Sequence, residues 1–295
     1  MTYVLITPSR NEEKYIKLTL DSMVAQTVLP LRWVIVDDGS TDRTGEIAED
    51  YARRYPWVEV IHRPARQERH FAGKVHAFNA GLERVQSLPY EVVGNMDADI
   101  SFPPDYMAYL LQKFSEYPRL GIAGTPMREE HYDSLKDSFF NENDVFGACQ
   151  LFRRECYESV GGYTPMKWGG VDWVAVRSAR LRGWLTRSFM DRMFFHHRPM
   201  GATESNLWKA RFDYGRKDYY LGNHPLWEAF RVTFQVLKKP YGAGALLLLC
   251  GYVYSFATRM ERPVADEVLR FHRQEQLNRL RRLLVNFLKS GRIKT

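Results

Sequence analysis

The chain has 295 residues, 45% hydrophobic and 26% charged, ordinary globular usage that excludes a disordered or fibrous protein. Its net charge of +7 is unevenly placed: residues 1–204 hold 25 Lys and Arg against 28 Asp and Glu, a net of −3, and residues 205–295 hold 17 against 7, a net of +10. Such a basic block points to an anionic partner, and the lack of zinc-finger spacing, of a ribonucleoprotein motif and of a clear recognition helix favours a membrane surface over nucleic acid.

The length suits one large α/β domain with an appendage, or two modest domains. Met1-Thr2-Tyr3-Val4-Leu5-Ile6 reads as a buried strand without the basic leader and cleavage site of a signal peptide, so a cytoplasmic location is expected. Tyr3–Thr7, Trp33–Val36, Val58–Ile61 and Val92–Met96 read as strands. Glu12–Gln26, Thr41–Tyr55 and Lys74–Ser87 have helical spacing, the second with Ser40 or Thr41 as its cap. This alternation is that of βαβ units around a mostly parallel sheet. Cys149, Cys156 and Cys250 are too scattered for a disulfide framework and read as buried small hydrophobes in a reducing compartment.

Ligands of open α/β sheets sit beyond the carboxyl ends of the strands. Polar, largely acidic groups follow three of these strands: Pro8-Ser9-Arg10-Asn11-Glu12, Asp37-Asp38-Gly39-Ser40 and Asp97-Ala98-Asp99. No Gly-x-Gly-x-x-Gly follows the first strand, which argues against a dinucleotide-dependent dehydrogenase. In extended chain Asp97 and Asp99 point the same way and repel unless a cation sits between them, a setting suited to Mg²⁺ or Mn²⁺. The alternative is that Asp99 only caps the following turn.

Val34-Ile35-Val36-Asp37-Asp38-Gly39-Ser40-Thr41-Asp42, then Gly73-Lys74 with Asn79-Ala80-Gly81, then Asn95-Met96-Asp97-Ala98-Asp99, resembles the family-2 glycosyltransferases of the GT-A fold. Gly161-Gly162-Tyr163, Gly169-Gly170-Val171-Asp172-Trp173 and Arg182-Gly183-Trp184 look like that family's acceptor-side segment. The resemblance implies a Rossmann-like, mostly parallel sheet with helices on both faces, in a catalytic domain set at residues 1–222; the helical periodicity beyond it points to an extension over 223–295. The resemblance implies an inverting transfer from a nucleotide diphosphate sugar, UDP favoured and GDP allowed, to an acceptor hydroxyl, and the basic C-terminal third points to a lipid-linked or cell-envelope glycan as that acceptor.

Carried over by position, Pro8, Arg10 and Glu12 look like the loop against the nucleotide, Asp38 like the carboxylate reading the base, and Lys74 like a cation near the diphosphate. Asp37 reads as structural. Asp97 and Asp99 resemble the metal motif, Asp97 shared with the ribose, and His196, 13 residues after Gly183, resembles a third ligand of Mn²⁺ or Mg²⁺. His197 and Arg198 stand as phosphate contacts. Asp172 matches the general base, with a helix N-cap as its bland alternative. The chain departs from the common pattern at Val171, where a Glu usually precedes the base, and at Ser178, where an Arg often follows. Trp168 and Trp173 are candidates for stacking the acceptor sugar.

Past residue 205 the resemblance ends. Trp227, Phe230, Phe234 and Leu237 fall at helical spacing, as do Leu277, Leu280, Leu284 and Phe287, among Arg273, Arg279, Arg281, Arg282 and Lys289. Residues 240–258 carry no charge and reach only the lower limit for a membrane span. Lys238 and Lys239 before them and Arg259 and Arg262 after favour helices lying in one leaflet at the cytoplasmic face over a crossing, with packing on protein or a homodimer as the rival. A nucleotidyltransferase-type enzyme and a non-catalytic membrane adaptor are the remaining alternatives. The first lacks the glycine-rich phosphate loop it would need after strand one.

Overall fold

A computed structural model describes residues 1–65, 72–137, 141–198, 207–236 and 241–290. Its strands, among the described residues, are β1 (Tyr3–Ser9), β2 (Arg32–Asp37), β3 (Val58–His62), β4 (Val92–Met96), β5 (Ile100–Ser101), β6 (Leu120–Gly124), β7 (Met127–Arg128), β8 (Cys149–Arg153), β9 (Leu185–Ser188) and β10 (Phe194–His196). The first-unit helices are α1 (Ile16–Val24), α2 (Thr44–Arg54), α3 (Ala72–Val85), α4 (Tyr106–Glu116), α5 (Ser134–Asp137), α6 (Arg154–Ser159) and α7 (Val171–Leu181). By contacts the chain divides into two units, Met1–Met200 and Gly201–Thr295.

Seven strands form one sheet in the order β3-β2-β1-β4-β8-β6-β9. β8 runs antiparallel to both of its neighbours, and the other neighbouring pairs are parallel. The apolar runs of β1 and β2 carry side chains on both faces, as a strand covered on both sides must. Leu5, Trp33 and Ile35 pack under Leu20, Met23 and Phe114 of α1 and α4, while Val4, Ile6, Val34 and Val36 meet Val75 and Phe78 of α3. From β1 the chain proceeds to β2 and β3 on one side, then returns to place β4 on the other, so β1 and β4 flank the point where strand order reverses. There the crevice for a ligand opens. A smaller sheet, β5-β10-β7, carries the end of β10 toward the turn after β4.

The strands match the expected ones closely, whereas the first two helices start later than their patterns suggest. Residues 12–15 form a turn, and α1 begins at Ile16. α2 begins at Thr44, and neither Ser40 nor Thr41 caps it; Asp42 accepts hydrogen bonds from both the Thr44 amide and its hydroxyl.

The second unit is helical: α8 (Leu207–Tyr220), α9 (Pro225–Gln235), α10 (Tyr241–Ala257) and α11 (Asp266–Ser290). The division falls before the expected boundary at 222 because α8 packs closely on α10. Backbones touch there: a Cβ on Gly215 would lie 1.9 Å from the Leu248 carbonyl oxygen, and one on Gly251 2.0 Å from that of Phe212. Glu228 is 1% exposed and accepts from the Asn223 side-chain Nδ2, while Asp218 accepts from Arg231. Asn223 Oδ1 in turn faces His272 and Gln276. The outward face of α10 stays apolar, with Leu246 60% and Phe256 64% exposed. Cys250 lies on that side and is exposed, contrary to the expectation for all three cysteines; Cys149 and Cys156 are buried. No described helix is long and apolar enough to cross a membrane. Leu237, Lys238, Lys239 and residue 240, and the side chains of Phe287 and Lys289, lie outside the described residues.

Candidate active site

The register of β1 on β2 sets Pro8 beside Val36 and Ser9 beside Asp37, so the loops after the two strands start level. They are laced together. The Asp38 amide donates to Ser9 oxygen, the Asn11 amide to Ser40 Oγ, the Thr41 amide to Asn11 Oδ1 and the Glu12 amide to Thr44 Oγ1. Asn11 adopts a φ of 55° to make this turn, a conformation its short polar side chain tolerates. Pro8 and Arg10 are half-buried at this edge.

Asp37 is structural, as expected: one oxygen accepts from the Ser40 amide and the other meets His62 Nδ1 at 3.0 Å. Glu49 binds the opposite His62 nitrogen, and the bonds to Asp37 and Glu49 hold the imidazole pKa above its ordinary value despite partial burial. Asp38 is 5% exposed and accepts from Arg63 at 2.8 Å. Arg63 had no place in the sequence reading, although the rule that the residue after each strand merits attention applies to it.

The chain turns at Ala98 and Asp99, so the extended geometry assumed for the acidic pair ends at Asp97. The two carboxylates therefore have different neighbours. Asp97 accepts from Lys74, at the start of α3. Asp99 is 7% exposed, with His196 Nε2 3.6 Å from its Oδ1 and Arg198 Nε 3.5 Å from its Oδ2. Arg198 also donates to Glu12. Burial, then the charge of Asp97, raises the Asp99 pKa, and burial with the Asp99 charge pushes Glu12 up to about 7 against the pull of Arg198. The pairing of β10 with β5 and β7 delivers His196, and Glu129, just past β7, binds its Nδ1 at 3.1 Å. His197 turns away to Ser101 Oγ, with burial lowering its pKa.

Asp172 lies in the first turn of α7, which starts after Gly170, and is not the helix cap. Its carboxylate accepts from the Gly147 amide at 3.0 Å, and the Gly147 carbonyl accepts from the Asn95 side chain. A Cβ on Gly147 would lie 2.8 Å from that of Asp172, so glycine lets the loop before β8 approach this close. Lys74 feels the charges of Asp97, then Asp172 and Asp99, which ties all three acids to one locale. Trp168 and Trp173 are half-buried, and the Arg177 guanidinium lies over the Trp173 ring at 4.9 Å.

Among the described residues no three His, Cys, Asp or Glu side chains converge as a ready metal cage. The donor set still fits a divalent ion that takes most of its shell from phosphates and water. Asp99 Oδ1 is buried without a hydrogen bond, His196 Nε2 faces it, and Glu129 orients that imidazole from its far nitrogen, as an outer carboxylate does behind a metal-binding histidine.

The family description "Glycosyl transferase family 2" matches residues 4–137. Over 129 residues the chain is 31% identical to the glycosyltransferase EpsJ of Bacillus subtilis, covering 44% of this chain and 35% of that one. Over 117 residues it is 30% identical to a poly-beta-1,6-N-acetyl-D-glucosamine synthase of Staphylococcus epidermidis, covering 39% and 26%. The chain thus spans about a third or less of the length of these relatives. Among solved structures, the mannosyltransferase PcManGT of Pyrobaculum calidifontis, in complex with GDP-Man and Mn²⁺, superposes with a TM-score of 0.61 at 18% identity, covering 88% of each chain. Residues 1–349 of TarS from S. aureus, in complex with UDP-GlcNAc, give 0.57 at 16% identity, covering 87% of this chain and 73% of that one. Residues 4–137 are accordingly a family-2 glycosyltransferase segment, and the fold is GT-A.

Proposed function

We propose that this protein is an inverting, divalent-metal-dependent glycosyltransferase using a nucleotide diphosphate sugar. One observation carries the reading: the acids beyond β4, paired with Lys74, His196 and Arg198, share a locale with an Asp172 fixed by the Gly147 amide. Asp172 takes the proton of an acceptor hydroxyl, the oxygen attacks the anomeric carbon from the face opposite the nucleotide, and the bond from that carbon to the diphosphate oxygen breaks. Lys74 and Arg198 are placed to meet the diphosphate charge, and Asp38, backed by Arg63, to accept a base N–H. Mn²⁺ or Mg²⁺ held by Asp99 and His196, with Asp97, would neutralise charge growing on the leaving diphosphate.

UDP-sugars remain the favoured donors and GDP-sugars the alternative, a choice in keeping with the UDP-GlcNAc and GDP-Man named in the two similar structures. The acceptor would be a lipid-linked or envelope glycan met at the cytoplasmic membrane face. Supporting this are the net charge of +10 over residues 205–295 and the uncovered apolar side of α10. A thermal-shift screen of nucleotides with Mn²⁺ tests the donor, since a ligand at a hundred times its Kd stabilises by about 2.7 kcal/mol. NMR of the transferred sugar reads the anomeric outcome. No stabilisation by any nucleotide, or a product with the donor's configuration, would sink the proposal.

A further inference from the structure

Asp97 and Asp99 each already have a cation supplied by the protein. Lys74 donates to Asp97, and Arg198 bridges Glu12 and Asp99, with its guanidinium also near the Tyr15 ring at 5.9 Å. Both cations sit on long stems and keep partial solvent access, Lys74 being 36% and Arg198 24% exposed along the side chain. Of the carboxylates they hold, Asp99 at 10% and Glu12 at 11% are less open than either cation, while Asp97 is 25% exposed.

We propose that Lys74 and Arg198 are exchange cations that lend the acidic pair its counter-charge and pass to the diphosphate when a divalent ion takes that place. The idea rests on the glycosyltransferase reading and extends it to the order in which ligands enter. A divalent ion arriving alone must compete with two cations already hydrogen-bonded or ion-paired to its ligands. A diphosphate arriving alone must draw Lys74 from Asp97, and Arg198 from Asp99 and Glu12, which would be left buried and uncompensated, a costly state. Arriving as a complex, the two exchange partners without leaving a bare charge: metal to carboxylate, ammonium and guanidinium to phosphate. Binding of metal and nucleotide is therefore strongly synergistic.

The test uses the full chain and two separate titrations without turnover. Mn²⁺ alone is followed by loss of the free-ion electron paramagnetic resonance signal, and UDP or GDP alone by calorimetry. Lys74→Met and Arg198→Met should each bind Mn²⁺ about fivefold more tightly than wild type, the scale of one charge removed from a few ångströms in a shielded site. The same variants should bind the metal-free nucleotide about fivefold more weakly. Lys74→Arg keeps a cation and should stay near wild type in the Mn²⁺ titration, which separates loss of charge from loss of fold should the Met variant melt early. Unchanged or weaker Mn²⁺ binding in both Met variants, with wild type binding Mn²⁺ and nucleotide together, overturns the exchange and leaves the glycosyltransferase reading standing. A wild type that binds no Mn²⁺ even with UDP or GDP overturns both.

Discussion

Two glutamates with the same displaced titration sit in different surroundings: Glu12 at the strand-end site and Glu228 in the helical unit are each pushed up to about 7, in both cases first by burial and next by a neighbouring aspartate. An arginine opposes the shift in each place, Arg198 for Glu12 and Arg231 for Glu228. What differs is the company they keep. Buried carboxylate oxygens without a hydrogen bond occur in both places, on Asp99 in one and on Asp218 and Glu228 in the other, and Arg231 is no less exposed along its side chain than Arg198. Glu12 feels the charges of Asp99 and Asp97, and Lys74 joins those acids to Asp172, whereas Glu228 is 1% exposed in a network with Asn223, itself bonded to His272 and Gln276. A perturbed carboxyl therefore does not mark a site by itself; it does so when further groups of matching chemistry converge around it.

If the comparison is right, acids of the first unit should act on chemistry and acids of the second on stability. The largest effect is expected at Asp172. Asp172→Asn should slow transfer by about 10²-fold or more, as loss of a general base does, with nucleotide affinity and melting temperature near wild type. Weakened donor binding would show that Asp172 belongs to the donor side instead.

Next in size is Glu228→Gln, read as stability alone. The folded pKa of about 7 lies above the ordinary value of 4.5, so between these the folded state binds more protons than the unfolded chain. Wild-type stability should fall as pH rises through that window. An amide in place of the acid carries no charge to bury, so the variant should gain up to about 3 kcal/mol at pH 8 and little below pH 4.5. Equal gains at both pH values in urea melts would assign the effect to packing and blur the contrast.

The smallest effect concerns a third kind of surface, the apolar side of α10. The full chain should sediment with anionic vesicles, weakly with neutral ones, and less in high salt. Leu246→Gln with Phe256→Gln, both exposed, should cut vesicle affinity about tenfold without altering the fold. A chain that stays in the supernatant with anionic vesicles at low salt ends the membrane reading.

Much of the first unit was legible because β1 and β2 carry unbroken apolar runs, β4 is apolar but for Asn95, and their ends carry the chemistry. Asp38, Lys74, Asp97 and Asp99 could be placed from strand ends and motif order alone. Glu129 and Gly147 could not: each acquires its role from a contact across many residues, with His196 and Asp172 respectively, while Arg63 follows β3 directly and only its partner, Asp38, was hidden. The strands of the small sheet hold two or three residues and leave no periodicity. Glu228 was hidden for the opposite reason, since a charged residue between Trp227 and Phe230 reads as solvent-facing until the helices close around it.

The antiparallel strand β8 has a consequence for synthesis. β4 is complete at Met96, but its partner on that side begins only at Cys149. At 5–20 residues per second the ribosome takes roughly 3 to 10 s to bridge that interval, during which the first four strands expose an apolar edge. A chain ending at residue 137, where the family segment stops, would keep that edge permanently. The segment that the family description matches is thus shorter than the part that must be made before the sheet can close.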